Sequence, residues 1–148
     1  MTSIYVASSW RNQDQPIIVA TLRYAGFEVY DFKNPPNKTG FSWRDVTLDY
    51  SDEVSQECRQ SEFLTALDHP VAVEGFNSDF DAMKAADIVV LVLPCGRSAH
   101  LELGWAVGAG KRTAVLLDDP CTPELMYKMV DHLATSLVDL LGWLGVKD

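Results

Sequence analysis

The sequence lacks the features that mark membrane-spanning, disulfide-bonded and nucleic-acid-binding proteins. No apolar run reaches the roughly 18 residues that a membrane helix needs, and the first residues show no signal-peptide pattern. The three cysteines, odd in number and widely spaced, fit reduced thiols better than a disulfide framework. The net charge of −9 disfavours a nucleic-acid-binding surface, which needs excess lysine and arginine. These absences predict a cytoplasmic protein that binds neither a membrane nor a nucleic-acid polymer.

Motifs of common cofactor and metal sites are also missing. The glycines near residue 108 have neither the GxGxxG spacing of dinucleotide-binding loops nor the GxxxxGK[ST] spacing of P-loops. The three histidines show no metal-ligand spacing with the cysteines. The sequence therefore predicts no cofactor and no metal.

What the chain does have is a regular alternation of strand and helix patterns over 148 residues, the usual size of one domain. Apolar runs predict strands at residues 3–7, 28–32, 88–94, 112–118 and 132–135. Amphipathic stretches predict helices at residues 14–26, 51–68, 73–87, 96–111, 124–128 and 136–144, and prolines predict a loop at 33–43. The alternation predicts an α/β fold, a single-domain flavodoxin- or Rossmann-like three-layer sandwich over residues 1–148, with a parallel sheet of about five strands.

Ligands of such folds bind beyond the carboxyl ends of the strands. The first-turn region of the helix that leaves the third strand carries Glu102, where the helix dipole and nearby N–H groups favour an ionised carboxylate. An ionised carboxylate suits a nucleophile or an electrostatic stabiliser, although acids also occur in first turns merely to complement the dipole. Cys95 with His100 nearby offers a second candidate nucleophile, against the alternative of a half-buried thiol at a strand end.

Three segments carry a more specific signal, because they occur in order along the chain. They are IYVASSWRN from residue 4, FNSDFDAMKAADIVVLVLP from residue 76 and SAHLELGWAVGAGK from residue 98. Together they resemble the nucleoside 2-deoxyribosyltransferase superfamily, which includes 2'-deoxynucleoside 5'-monophosphate N-hydrolases. The resemblance implies Glu102 as nucleophile, Asp79 as general acid or proton relay, and Tyr5 as the residue that orients Glu102. The structural alternatives are a solvated helix acid for Asp79 and a core tyrosine for Tyr5.

A substrate-binding set follows from the same resemblance. The SSWRN stretch resembles the turn with which the nucleotide hydrolases of this superfamily hold a 5'-phosphate, and CGRS places a basic residue where the transferases often have an acid. His100 also departs from the family, which usually has a small residue there. The basic residue favours a ligand with a negative group. The predicted substrate-binding residues are Ser8, Ser9, Trp10, Arg11, Gly96, Arg97 and Ser98. The structural alternatives are a packing residue for Trp10 and an exposed loop arginine for Arg97.

The resemblance thus implies an enzyme that cleaves or transfers at the N-glycosidic bond of a (deoxy)nucleoside or its 5'-monophosphate by a retaining mechanism. The alternative is a non-catalytic nucleotide-binding or sensing module on the same fold. Family members complete their sites with a neighbouring subunit, and the small residues Gly104 and Gly108 permit close helix contact. A homodimer or higher homo-oligomer is therefore expected.

Overall fold

The computed structural model describes residues 1–46 and 58–147. The chain divides into two compact units, one formed by Met1–Asp31 with Ala82–Asp148 and the other by Phe32–Asp81. Each unit has its own apolar core. That residues 1–148 act as one domain stays a prediction.

The first unit is built on a five-stranded parallel sheet in the order β2-β1-β3-β4-β5. Its strands are β1 (Ser3–Ala7), β2 (Glu28–Tyr30), β3 (Ile88–Val92), β4 (Arg112–Leu116) and β5 (His132–Ala134). All five predicted strands exist, but four of them end one to two residues earlier than predicted. The apolar run of β3 continues into Leu93, yet the next residue is a proline, which has no N–H for the ladder.

Helices cover both faces of this sheet. The helices α1 (Gln15–Tyr24) and α5 (Leu137–Trp143) pack on one face, where Leu22 and Leu140 join Ile4, Val6 and Val90 in one buried cluster. The helix α4 (Arg97–Gly108) packs against β1, β3 and β4, and its buried Leu103 and Ala106 are not part of that cluster. Since side chains alternate between faces along a strand, α4 covers the opposite face. The predicted three-layer, flavodoxin- or Rossmann-like α/β architecture is confirmed.

Several helix ends carry residues that suit a stop or a cap. Gly26 follows α1 with φ +97° and Gly110 follows α4 with φ +76°, a left-handed backbone that glycine adopts without strain. Ser136 accepts a hydrogen bond from the Asp139 N–H at 3.0 Å and begins α5. The predicted short helix at 124–128 is a 3₁₀ helix (Leu125–Met129) whose cap, Glu124, accepts from the Met126 N–H at 3.0 Å.

The second unit contains a 3₁₀ helix (Trp43–Val46), α2 (Gln60–Leu67) and most of α3 (Pro70–Ala85). Its small core joins the buried Val46, Ala66 and Ala72 to the rings of Phe41 and Trp43. The helix predicted at 51–68 is confirmed over α2; residues 51–57 lie outside the described part of the chain, and residues 58 and 59 are not helical. The next helix begins at Pro70 rather than at residue 73, as proline is well tolerated in a first helical turn.

In the described part of the chain, none of the helices has the length and apolar content that crossing a membrane requires.

Candidate active site

The turns that follow β1 and β3 are joined by hydrogen bonds. The hydroxyl of Ser8 donates to the carbonyl oxygen of Val92 at 2.9 Å, and the side-chain amide of Asn12 donates to the carbonyl of Pro94 at 3.2 Å. Both strands end at the carboxyl edge of the sheet, so these bonds hold two of the predicted binding segments side by side.

Asn12 also determines where α1 begins. Its side-chain oxygen accepts hydrogen bonds from the N–H groups of Asp14 (2.9 Å) and Gln15 (3.0 Å). Asp14 occupies the cap position of α1 without making a side-chain cap bond. Asn12 is only 3% exposed, and sequence reasoning missed its role. An Asn two residues before a cap position was the available signal.

The SSWRN turn between these bonds is largely solvent-accessible. The hydroxyl oxygen of Ser9 accepts from the Arg11 N–H at 3.2 Å, and its carbonyl oxygen accepts from the Asn12 N–H at 3.0 Å. The side chain of Arg11 is exposed, and Trp10 is 53% exposed. The turn is thus held by a backbone bond and by the Ser9 hydroxyl, while the side chain of Arg11 is exposed.

The third binding segment opens α4. Gly96 is the cap residue with an extended backbone, and Arg97 and Ser98 are the first two helical residues. All three are exposed at the surface. The first N–H groups of a helix have no partner within the helix, so this end can donate hydrogen bonds to an anion.

Glu102 lies in the second turn of α4, not in the first, because the helix begins at Arg97. Both arguments from the first turn are therefore wrong for this residue: that the dipole and the free N–H groups favour its ionised form, and that the acid is there merely to complement the dipole. The side chain is half-buried, and its Oε2 atom is shielded from solvent. A solvated acid would keep both carboxylate oxygens in water, so the shielded Oε2 atom argues against a merely solvated acid.

Tyr5 lies on β1, between the paired residues Val89 of β3 and Tyr30 of β2. It is 1% exposed, and its ring stacks on that of Tyr30 with centroids 5.5 Å apart and planes 10° from parallel. Since Ile4 and Val6 point into the cluster beneath α1 and α5, alternation directs Tyr5 to the face that α4 covers. Tyr5 and Glu102 therefore belong to the same side of the sheet.

Asp79 lies on the part of α3 that belongs to the second unit, and its side chain is half-buried. Its role stays a prediction.

A cluster that sequence reasoning described only in part surrounds the amino end of α4. The Cys95 sulfur lies 3.7 Å from Nδ1 of His100, and Nε2 of His100 lies 2.7 Å from the hydroxyl of Tyr127. Burial, with the charges of Glu102 and Asp118, raises the pKa of the Cys95 thiol to about 12. The thiol is therefore protonated at neutral pH, which disfavours Cys95 as a nucleophile.

Comparison with known proteins supports the fold. No protein-family model and no curated protein sequence matches the chain. A 2-deoxyribosyltransferase from Bacillus psychrosaccharolyticus is similar in structure, with a TM-score of 0.59 and 21% identity over 94% of this chain and 90% of that one. A conserved protein from Enterococcus faecalis gives a TM-score of 0.60 and 16% identity, covering 96% of each chain. A CMP N-glycosidase from Clostridium botulinum gives a TM-score of 0.57 and 15% identity over 97% of this chain and 99% of that one.

The chain has the fold of a 2-deoxyribosyltransferase. In this fold, hydrogen bonds join the turn after β1 to the turn after β3, and the second turn leads into α4, which carries Glu102 with its shielded Oε2 atom. Within residues 1–46 and 58–147, no three His, Cys, Asp or Glu side chains form a candidate metal site.

Proposed function

We propose that this protein cleaves or transfers at the N-glycosidic bond of a (deoxy)nucleoside or its 5'-monophosphate by a retaining mechanism. The observation that carries the proposal is Glu102, whose Oε2 atom is shielded from solvent on the helix that leaves the carboxyl end of β3. The fold shared with a 2-deoxyribosyltransferase and a CMP N-glycosidase supports it.

In the first step, an oxygen of the Glu102 carboxylate forms a bond to C1' while the bond from C1' to the base nitrogen breaks. The bonding electrons leave with the base, which Asp79 protonates directly or through a relay. In the second step, a water molecule or an N–H nitrogen of a receiving base attacks C1' and gives its proton to Asp79, directly or through the same relay, while Glu102 is released as a carboxylate.

Tyr5 is the residue that orients the nucleophile in this proposal. Its ring is fixed by burial on a central strand and by the stack on Tyr30, so its hydroxyl has little freedom. A hydroxyl held in this way keeps one rotamer of Glu102 in place without contributing to the bond changes.

The phosphate part of the proposal rests on the two joined turns. Arg11 supplies a planar fork of donors, Ser8 and Ser9 supply hydroxyls, and the amino end of α4 supplies N–H groups. The net charge of −9 works against long-range attraction of a nucleotide, so these local donors must provide the affinity.

The test is incubation with common nucleosides and their 5'-monophosphates, followed by chromatography for the free base. Glu102→Ala should abolish base release, a loss on the order of 10⁴-fold or more. Glu28→Ala, which removes an exposed acid at the amino end of β2, is the matched control and should keep wild-type turnover. A second base added to the reaction distinguishes transfer from hydrolysis.

Intact-mass spectrometry after rapid quenching should detect a sugar-bearing form of the wild type that Glu102→Ala lacks. Near-normal turnover by Glu102→Ala would remove Glu102 as the nucleophile. Nucleotide binding by calorimetry without any base release would instead favour the non-catalytic binding module.

A further inference from the structure

The imidazole of His100 connects two distant backbone segments. Its Nδ1 atom lies 2.7 Å from the carbonyl oxygen of Gly96, and its Nε2 atom lies 2.7 Å from the hydroxyl of Tyr127. A carbonyl oxygen only accepts hydrogen bonds, so Nδ1 carries the hydrogen and donates it. In the neutral ring Nε2 is then an acceptor, and it accepts from the hydroxyl of Tyr127. The result is a directed chain from Tyr127 through His100 to Gly96.

Tyr127 is well suited to fix the imidazole. It is 8% exposed, and its ring stacks on His100 with centroids 5.8 Å apart and planes 13° from parallel. Burial raises the pKa of the Tyr127 hydroxyl, with smaller effects from Cys95, Glu124 and other acidic groups nearby. The hydroxyl therefore stays protonated and remains a donor.

The group that these hydrogen bonds hold is the carbonyl of Gly96, the cap residue of α4. In α1 and α5 the cap carbonyl accepts from the backbone N–H four residues later, from Ile18 to Asp14 and from Leu140 to Ser136. In α4 the residue four positions after the cap is His100, and its side chain donates to Gly96. The carbonyl of a trans peptide points opposite to the N–H of the same peptide. Fixing the Gly96 carbonyl therefore fixes the direction of the Arg97 N–H.

We propose that His100 and Tyr127 are positioning residues that hold the first N–H groups of α4 toward a phosphate group of the substrate. This inference rests on the proposed function, because it concerns how that same site recognises a nucleoside 5'-monophosphate. Neither residue touches the reacting atoms. Each acts through the peptide between Gly96 and Arg97, which the pair keeps in one orientation before the substrate arrives.

Three variants distinguish the hydrogen bond from His100 to Gly96 from the one between Tyr127 and His100. Tyr127→Phe keeps the stacked ring and removes only the hydroxyl. His100→Asn keeps a short amide donor for the Gly96 carbonyl but cannot reach Tyr127. His100→Leu removes both bonds. Tyr24→Phe is the matched control, since Tyr24 is 96% exposed.

The measurement is kcat and KM for a nucleoside and its 5'-monophosphate, with melting curves to show that each variant is folded. His100→Leu should raise KM for the monophosphate by about 5- to 10-fold. Tyr127→Phe should raise it by about 2- to 3-fold. His100→Asn should fall between the wild type and His100→Leu. The nucleoside KM and both kcat values should not change, and calorimetry of the monophosphate on a Glu102→Gln background should show the same order.

Distinct results would overturn the inference. An unchanged monophosphate KM in folded Tyr127→Phe and His100→Leu would remove the positioning role. Equal losses for nucleoside and monophosphate would assign the pair to general stability of the helix end. A wild type that releases base from both substrates with equal efficiency would contradict the phosphate role while leaving the proposed function standing. A wild type that neither releases base nor binds the monophosphate would remove the proposed function and this inference with it.

Discussion

Arg11 is exposed on a turn whose backbone bonds hold it without help from the guanidinium. Its side chain is therefore available to a ligand and is not needed for folding. If it contacts the 5'-phosphate, Arg11→Ala should weaken use of a nucleoside 5'-monophosphate by roughly 10- to 150-fold, as expected for a charge-assisted contact. Use of the matching nucleoside should barely change, because it offers that arginine no charged partner.

The comparison needs both substrates and a control for charge. Lys147→Ala removes one positive charge from an exposed position and should leave both kcat/KM values unchanged. A loss of equal size for nucleoside and monophosphate in Arg11→Ala would show damage to the turn and count against a phosphate contact. Equal efficiency of the wild type for both substrates would return the proposal to a nucleoside transferase.

At the scale of single residues, the sequence identified side-chain chemistry but not side-chain neighbours. The positions of Glu102 and Tyr5 relative to the sheet followed from the strand and helix pattern. The bond between His100 and Tyr127 joins residues 27 positions apart. It depends on how the segment after β4 returns to the edge of the sheet, which local patterns do not contain.

At the scale of elements, a side chain joins β1 to β3 at the amino ends of the strands. Ser3 is the first residue of β1, and Asp87 directly precedes β3. The Asp87 carboxylate accepts from the N–H of Ser3 at 2.9 Å and from its hydroxyl at 3.1 Å. The backbone bond is the main reason that the pKa of Asp87 lies below its usual value, with the hydroxyl bond next. A lowered pKa in the folded state stabilises the fold above the unfolded value near 4, and the benefit is lost as the pH falls through the folded value.

Asp87→Asn should therefore lower the melting temperature at pH 7, and the difference from the wild type should shrink as the pH falls below 3.8. Melting curves between pH 7 and pH 2.5 measure this. Exposed Asp119→Asn is the control for the change in net charge and should have a much smaller effect at pH 7. A difference between Asp87→Asn and the wild type that is independent of pH would show that the charge of Asp87 is not what joins the strands.

Most elements were predictable because their signals are local. The continuous β-branched run of β3 indicates a strand buried on both faces, and Gly26 and Gly110 mark helix ends because a left-handed backbone suits them. Helix starts were harder to predict. Asn12 rather than Asp14 caps α1 with its side chain, since both residue types suit a cap and only the path of the turn decides between them.

At the scale of the whole molecule, one face of α4 has open space beside its glycines, since no other described residue packs there. Leu101 is 76% exposed, and a Cβ built at Gly104 or Gly108 meets no atom within 4 Å. Residues 101, 104 and 108 share one side of the helix, because three- and four-residue spacings do so. This face has room for close contact with a second copy, and the homo-oligomer stays a prediction.

Light scattering should give the mass of a dimer or a higher oligomer for the wild type. Gly104→Glu should shift it toward the monomer by placing a charge in the contact, while circular dichroism stays native because the side chain has room. Gly142→Glu, at another helical glycine with open space, is the control and should keep the wild-type mass. A wild type that is monomeric at working concentration would remove the expected assembly.

The strand order has a consequence for synthesis on the ribosome. β1 is made before the other four strands of this sheet, yet it lies inside the sheet, and its partner β3 pairs Ile88 with Ile4. At about 5 to 20 residues per second, the ribosome needs about 4 to 17 s to add the intervening residues. During that interval one edge of β1 has no native neighbour. Until the third strand leaves the exit tunnel, that edge of β1 offers unpaired N–H and C=O groups to other extended segments.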